Sequence, residues 1–355
     1  MNLTQSFSLA NECLPHKSIF EKLRFAIRLY ITNPNLPDSI ADFFSKNSTR
    51  RFVFSQTGFK AHLVRQQVRS CFYLGSTAEE RWHFATSHFS FLEKNHTSDF
   101  VKHIYAKRPL TLLESQIKDT KLKITLDYAD VIAREGFLRL SVSMTDIDLY
   151  TITFWFSSLG ETPCLYIGAL QGGKNTLEEN RLFTKTFYGI RPQNMAMLAL
   201  RFYAKATGVK TLLSFPKEKM RCFKKIAAFT DINEFWQEQG ATQLPNTPFL
   251  KIATELDRKP LHEIASKKRS MYKQRYELLD QLEADLISEI KAHVTSPAAA
   301  TIIATTDELS HSTFAHRLSP RHSYFTQIST RLKQLPWAAM IALAAALSGL
   351  HFAQQ

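Results

Sequence analysis

The sequence predicts an α+β protein: a mixed, largely antiparallel sheet flanked by helices, with a helical N-terminal layer and a C-terminal helix. Three observations carry this. Residues 1–115 hold helical apolar spacing and many cations. Between Lys121 and Phe156 apolar and polar residues alternate in three runs, the period-two pattern of strands with one buried face. Leu165–Phe215 then reads as strand, glycine break, helix and returning strand. The segments this implies are a basic helical layer (1–115), a mixed core with a closing helix (116–293), a linker (294–336) and an apolar end (337–353).

Taken in order, helices are expected at His16–Tyr30, Ser39–Lys46 and Phe59–Phe72, with Pro34 and Pro37 breaking the chain between the first two. Thr77-Ala-Glu-Glu80 is a capping box that opens a helix running through Lys94. Leu122–Tyr128, Leu138–Met144 and Tyr150–Phe156 are the three alternating strands, separated by the turn-rich pieces Ala129–Glu135, Thr145–Asp148 and Ser157–Pro163. Leu165–Leu170 is a strand that ends at Gln171-Gly-Gly173. Gln193–Thr207 is a mostly buried helix. Met195, Leu198 and Phe202 repeat at helical spacing, Asn194, Arg201 and Lys205 fill a narrow polar face, Pro192 suits its first turn, and Gly208 its left-handed stop. Val209–Phe215 returns as a strand. Further on come a short helix at Ile232–Gln239, a strand at Phe249–Ala253 and a long helix that Ser266 caps and that runs to His293. These give five to seven strands between residues 120 and 255.

The 355 residues carry a formal charge of +13, concentrated in three clusters. Lys46, Arg50, Arg51, Lys60, Arg65 and Arg69 fall in a stretch without any acid. Lys217, Lys219, Arg221, Lys224 and Lys225 form the second cluster, and Lys267, Lys268, Arg269, Lys273 and Arg275 the third. Such a field attracts phosphate-bearing partners: an anionic ligand, a membrane surface or nucleic acid. Solvated surface is the plain alternative. Cys13, Cys71, Cys164 and Cys222 are far apart, so neither a zinc site nor a disulfide framework is expected. No metal-ligand spacing, P-loop or nucleophile elbow is present, which removes metalloenzyme, NTPase and hydrolase readings. No RNP, KH or helix-turn-helix signature accompanies the basic clusters. The first twenty residues lack a signal-peptide pattern, which predicts a cytoplasmic protein. Trp337–Ala353 runs without a charge behind Arg331 and Lys333; it is either an attachment to the inner membrane or a helix that docks on the protein.

Candidate chemistry concentrates at the strand–helix–strand unit. Gln171, Gly172 and Gly173 either cradle a ligand or make a tight turn. Arg191 and Asn194 stand at a helix start, where free amides favour an anion. Glu135, beside Arg134 and Gly136, is either a general base or a turn ion pair, and Tyr188 either a proton donor to a leaving thiolate or an aromatic staple.

Several short motifs occur in a fixed order. They are Arg134-Glu-Gly136, Leu149-Tyr-Thr-Ile-Thr-Phe154, Leu165-Tyr-Ile-Gly-Ala-Leu-Gln-Gly172, Thr184-Lys185, Gly189-Ile-Arg-Pro192, Asp231-Ile-Asn-Glu-Phe-Trp236, and Ser266-Lys-Lys-Arg-Ser-Met-Tyr272 with Arg275-Tyr-Glu-Leu-Leu-Asp280. Together they resemble the VirK/YbjX family of Gram-negative bacteria over residues 15–292. The resemblance implies a role in virulence, envelope stress or tolerance of cationic antimicrobial peptides, and brings no established catalytic residues. Ser214-Phe-Pro216 departs from the polar pair that the family tends to carry after that strand. The element order is also similar to that of the GNAT acyltransferases. That likeness implies an acyl-CoA or related phosphate-bearing donor held by Gln171, Gly172, Gly173, Arg191 and Asn194, with Glu135 and Tyr188 as catalytic groups. Two of the usual loop glycines are missing, and Gln171–Ile190 intervenes between strand and helix. The rival class is a non-enzymatic basic module that binds RNA or anionic lipid.

Overall fold

The computed structural model describes residues 2–117, 119–130, 134–220, 232–255 and 257–295. The expected apolar end, nearly all of the linker, and Arg221, Lys224 and Lys225 lie outside the described residues.

Seven helices come first: α1 (Leu3–Cys13), α2 (Ile19–Thr32), α3 (Leu36–Ser45), α4 (Ser48–Ser55), α5 (Phe59–Val68), α6 (Ala78–Asn95) and α7 (Ser98–Tyr105). Local chemistry starts most of them. Asn2 with Gln5, Ser18 with Glu21 and Thr77 with Glu80 form reciprocal capping boxes, which satisfy amides that a helix start leaves unpaired. Strands follow as β1 (Leu110–Ile117), β2 (Thr120–Tyr128), β3 (Leu138–Met144), β4 (Ile147–Leu159) and β5 (Thr162–Gly172). Next come α8 (Leu177–Thr186), α9 (Pro192–Ala206), β6 (Leu212–Ser214), α10 (Ile232–Glu238), β7 (Thr242–Gln243), β8 (Leu250–Ile252) and α11 (Ser266–Ala292). The last helix has Ala265 at its N-cap with no side-chain cap, so Ser266 is its first residue and not the cap expected.

One eight-stranded sheet runs in the order β1-β2-β3-β4-β5-β6-β8-β7. All described pairings are antiparallel except β5 with β6. Seven of the strands lie between residues 120 and 255, as expected. The eighth, β1, falls where helix was expected. Its alternation is broken at Leu112 and Leu113 by a register shift against β2, which hides the strand from a period-two search.

The two sheet faces differ in chemistry. Leu122, Ile124, Leu126, Leu138, Leu140, Val142, Ile152 and Phe154 point to one side and are fully buried. There Tyr203 of α9 meets Phe154 edge-on at 5.7 Å. The opposite side holds Thr125, Asp127, Arg139, Ser141 and Thr153, with Arg139 donating two hydrogen bonds to the Asp127 carboxylate. Further along that side the residues become aromatic: Trp155 stacks on Tyr166 at 5.2 Å and packs against Phe72 and Phe84. Thus the N-terminal layer packs on the Trp155 side through Phe72 and Phe84, and its helices also reach Phe156 and Tyr128 on the side that α9 covers.

Two histidines lock the helical layer to the sheet. Pairing between β3 and β4 stops at Leu138 and Phe154, so the Phe156 amide needs another acceptor. It donates to Nδ1 of His88 at 3.1 Å. Nε2 therefore carries the ring proton, and it bonds the Tyr105 hydroxyl at 2.8 Å. At the end of α6, Nε2 of His96 meets the Tyr203 hydroxyl at 2.8 Å.

Candidate functional site

β5 is the strand on which the candidate site depends. It pairs with β4 from Thr162 to Gly172, but with β6 only at Leu165–Leu212 and Tyr166–Leu213. The Ser214 hydroxyl donates to the Ile167 carbonyl at 3.1 Å, and there contact with β6 ends. From Gly168 to Gly172 the β6-side edge of β5 has no strand partner among the described residues. Gly168 is also a bulge, since Thr153 pairs with Ala169 and Phe154 with Ile167.

The turn of Arg134, Glu135 and Gly136 lies directly on this bulge. A Cβ on Gly168 would stand 1.7 Å from the Glu135 carbonyl oxygen and 2.9 Å from the Trp155 ring. Gly136 is equally close to the chain, with the Phe154 carbonyl oxygen 2.8 Å from where its Cβ would be. The Phe72 amide donates to the Arg134 carbonyl at 2.6 Å and the Phe137 amide to Phe154 at 3.1 Å. Glu135 is thereby buried against the centre of the sheet, at 7% exposure. It sits on the Trp155 side, whereas α9 packs on the Phe154 side.

The other candidates converge less. Tyr188 and Gly189 both have positive φ, 51° and 82°, and turn the chain from α8 into α9. Arg275 of α11 holds that reversal by donating from Nε (2.8 Å) and Nη2 (2.5 Å) to the Tyr188 carbonyl. Arg191 is the N-cap of α9, extended, without a side-chain cap. Its guanidinium pairs with Glu238 of α10. The Asn194 side-chain oxygen Oδ1 accepts from Gln239 Nε2 at 3.3 Å. Gln171 and Gly173 bond elsewhere: the Gln171 carbonyl accepts from Thr151 at 3.4 Å and the Gly173 amide donates to Leu149 at 2.9 Å. Gln171 and Gly172 continue β5, paired with Thr151 and Tyr150, and Gly173 follows the strand with the Asp148 carbonyl oxygen 2.2 Å from where its Cβ would be. The contacts of Tyr188, Arg191 and Asn194 run to α10 and α11, and those of Gln171–Gly173 to β4.

α10 is fastened over α9 by a buried arginine. Arg201 donates to the Ala253 carbonyl (2.9 Å), Gln239 Oε1 (2.9 Å) and the Gln239 carbonyl (3.3 Å). Burial pulls its guanidinium down to about 10. Arg201→Leu is expected to leave these acceptors unpaired and to cost about 3 kcal/mol. Thermal unfolding checks this; a change within about 0.5 kcal/mol counts against the clamp.

The first basic cluster is partly structural. Arg50 is buried, pairs with Glu93 and lies 4.0 Å over the Phe43 ring. Lys60 pairs with Glu12 at 2.8 Å, and Arg69 lies 5.9 Å over Phe25. Among the described residues no group of three or more histidine, cysteine or carboxylate side chains is placed to hold a metal ion. No helix among them is long and apolar enough to cross a membrane.

A family model described as a protein of unknown function (DUF535) matches residues 16–288. An uncharacterized protein of Haemophilus influenzae is 24% identical over 276 residues, which span 76% of this chain and 90% of that protein. A second uncharacterized protein of the same organism is 26% identical over 265 residues, 71% of this chain and 87% of its own length. The uncharacterized protein YbjX of Escherichia coli K12 is 29% identical over 148 residues, 39% of this chain and 44% of that protein. No solved structure matches.

Proposed function

The chain belongs to the DUF535 family, and from the geometry of its β5–α9–β6 unit we propose that it binds an acyl-CoA-type donor and transfers the acyl group. The observation that carries this reading is that the β6-side edge of β5 beyond Ile167 has no strand partner among the described residues. β6 ends at Ser214 while β5 runs on to Gly172, and the carboxyl ends of parallel strands are the usual place for a ligand slot. The slot's edge offers free backbone donors and acceptors for an amide-bearing arm. At the start of α9 Pro192 has no N–H and the Asn194 and Met195 amides donate to the Arg191 carbonyl, so Gln193 supplies the amide for phosphate, and Arg191 stands there. Glu135 reaches the same strand from the opposite face. As a base it takes the acceptor's proton, the acceptor attacks the thioester carbonyl, and the thiolate leaves. Tyr188 is the proton donor to that thiolate.

Calorimetric titration of the full chain with coenzyme A is the test. Saturable binding is expected, weakened by about 1–3 kcal/mol in Arg191→Ala, the range for loss of a charge-assisted contact. The ion pair with Glu238 places the change at the low end of that range. Glu135→Gln should retain this affinity and lose acetyl transfer. The absence of any binding heat in the unaltered protein overturns the proposal.

A further inference from the structure

The outward surface of α8 and the start of α11 combines exposed leucines with cations that no acid neutralises. Leu177 is 62% exposed, Leu182 52%, and Leu261, in the 3-10 turn (Leu261–Glu263) just before α11, 38%. At 3.6 residues per turn, Leu177 and Leu182 flank an outward strip that carries Arg181 and Lys185. Lys267, Lys268, Arg269 and Lys273 are exposed on the first turns of α11. Arg275 of α11 donates to the carbonyl of Tyr188, two residues past the end of α8.

The acids of this face are occupied, two of them by its own cations Arg181 and Lys273. Glu178 pairs with Arg181 at 2.7 Å, Glu263 lies 3.8 Å from His262, Glu277 lies 4.0 Å from Lys273, and Asp280 pairs with Arg258 at 2.6 Å. Glu179 is half-buried on the inner side of α8. Among the described residues no carboxylate comes within ion-pair distance of Lys185, Lys267 or Lys268. Arg269 donates to the carbonyls of Ile264 (2.9 Å) and His262 (3.2 Å), which leaves its charge uncompensated. The first turn of α11 contains no acid, so its cations face the positive end of their own helix. This arrangement is complementary to a negative surface supplied from outside.

We propose that this face rests on an anionic phospholipid bilayer. Leu177, Leu182 and Leu261 enter the headgroup layer, and Lys185, Lys267 and Lys268 lie over the phosphates. The leucines decide between a bilayer and a nucleic acid. A sugar–phosphate backbone gives three separate aliphatic side chains nothing to bury against, and single-strand binders offer stacking rings instead. The rings beside this face, Tyr272 and Tyr276, are half-buried edge-on at 5.9 Å, and each already carries an arginine, Arg275 at 4.3 Å and Arg258 at 5.3 Å. This docking rests on residues separate from those of the proposed donor site, apart from the Arg275 tie.

The test uses the full chain with phosphatidylglycerol-containing vesicles and with vesicles of phosphatidylcholine alone. Hydrogen exchange is expected to slow at 177–186 and 261–273 with the anionic vesicles only. In flotation, Leu177→Ser with Leu182→Ser, and separately Lys267→Glu with Lys268→Glu, should each lower partition by about tenfold. Both pairs are exposed, so folding is preserved. Unchanged exchange in these segments overturns the proposal, including when vesicle binding is seen elsewhere in the chain. It is equally overturned if the serine pair floats like the unaltered protein while soluble single-stranded RNA displaces it, an outcome that assigns the face to a polyanion.

Discussion

Gly168→Ala is expected to lower stability by about 3 kcal/mol or more, a shift of roughly 5–10 °C in the thermal midpoint. The added carbon would stand 1.7 Å from the Glu135 carbonyl oxygen and 2.9 Å from the Trp155 ring. Neither neighbour can give way cheaply. The oxygen belongs to backbone whose flanks are hydrogen-bonded to Phe72 and Phe154, and the Trp155 ring is fully buried among Phe72, Phe84 and Tyr166. Relief requires lifting the Glu135 turn from the sheet, so the substitution disturbs the candidate base together with the core. Gly172→Ala, four residues along the same strand, is the control. Its Cβ would meet the Tyr150 ring at 3.6 Å, an ordinary contact, and a change within about 0.5 kcal/mol is expected. Equal midpoints for the two variants would show that the turn does not rest on the bulge.

That close approach also marks where sequence reading stops. The strands at 122–128 and 138–144 alternate cleanly because one face of each is apolar and the other carries polar side chains such as Asp127, Arg139, Ser141 and Ser143, and the helix at 192–206 announces itself through proline, an apolar stripe and a terminal glycine. The capping box at Thr77–Glu80 appears as read. α1, α4 and α7 were not legible by periodicity, being short, although Asn2, Asn47 and Thr97 each cap their helix. The candidate site was legible only as a list. Gly168 looks like any strand glycine until Glu135 is laid on it, and a glycine inside a strand pattern is the one signal that hinted at a close approach. Arg191 read as a free phosphate ligand because Glu238 is 47 positions away, and no local rule couples them. Arg201 read as part of a polar helix face for the same reason: its acceptors, Gln239 and Ala253, come from the far side of β6.

Acidification is expected to destabilise the fold steeply, through two histidines that the helical layer buries. His88 is fully buried and His96 only 3% exposed. Burial holds His88 well below its ordinary range, with His96 a smaller cause, and it brings His96 down to about 3, with His293 contributing. Both are thus neutral in the fold but titrate near 6.5 when the chain is unfolded. Above that value neither state binds the protons, and stability is independent of these groups. As pH falls below about 6.5 the unfolded chain takes up protons that the folded protein refuses, so stability drops by about 1.4 kcal/mol per pH unit for each histidine. The loss continues until the folded protein itself protonates, near 3 for His96. Protonating His88 would convert Nδ1, the acceptor of the Phe156 amide, into a donor facing a donor. The measurement is the slope of unfolding free energy against pH between about 4 and 6. His88→Gln and His96→Gln cannot titrate, and each is expected to flatten that slope by about one proton, whatever it costs at neutral pH. Parallel slopes in all three proteins would place the acid sensitivity elsewhere and remove these two rings from its cause.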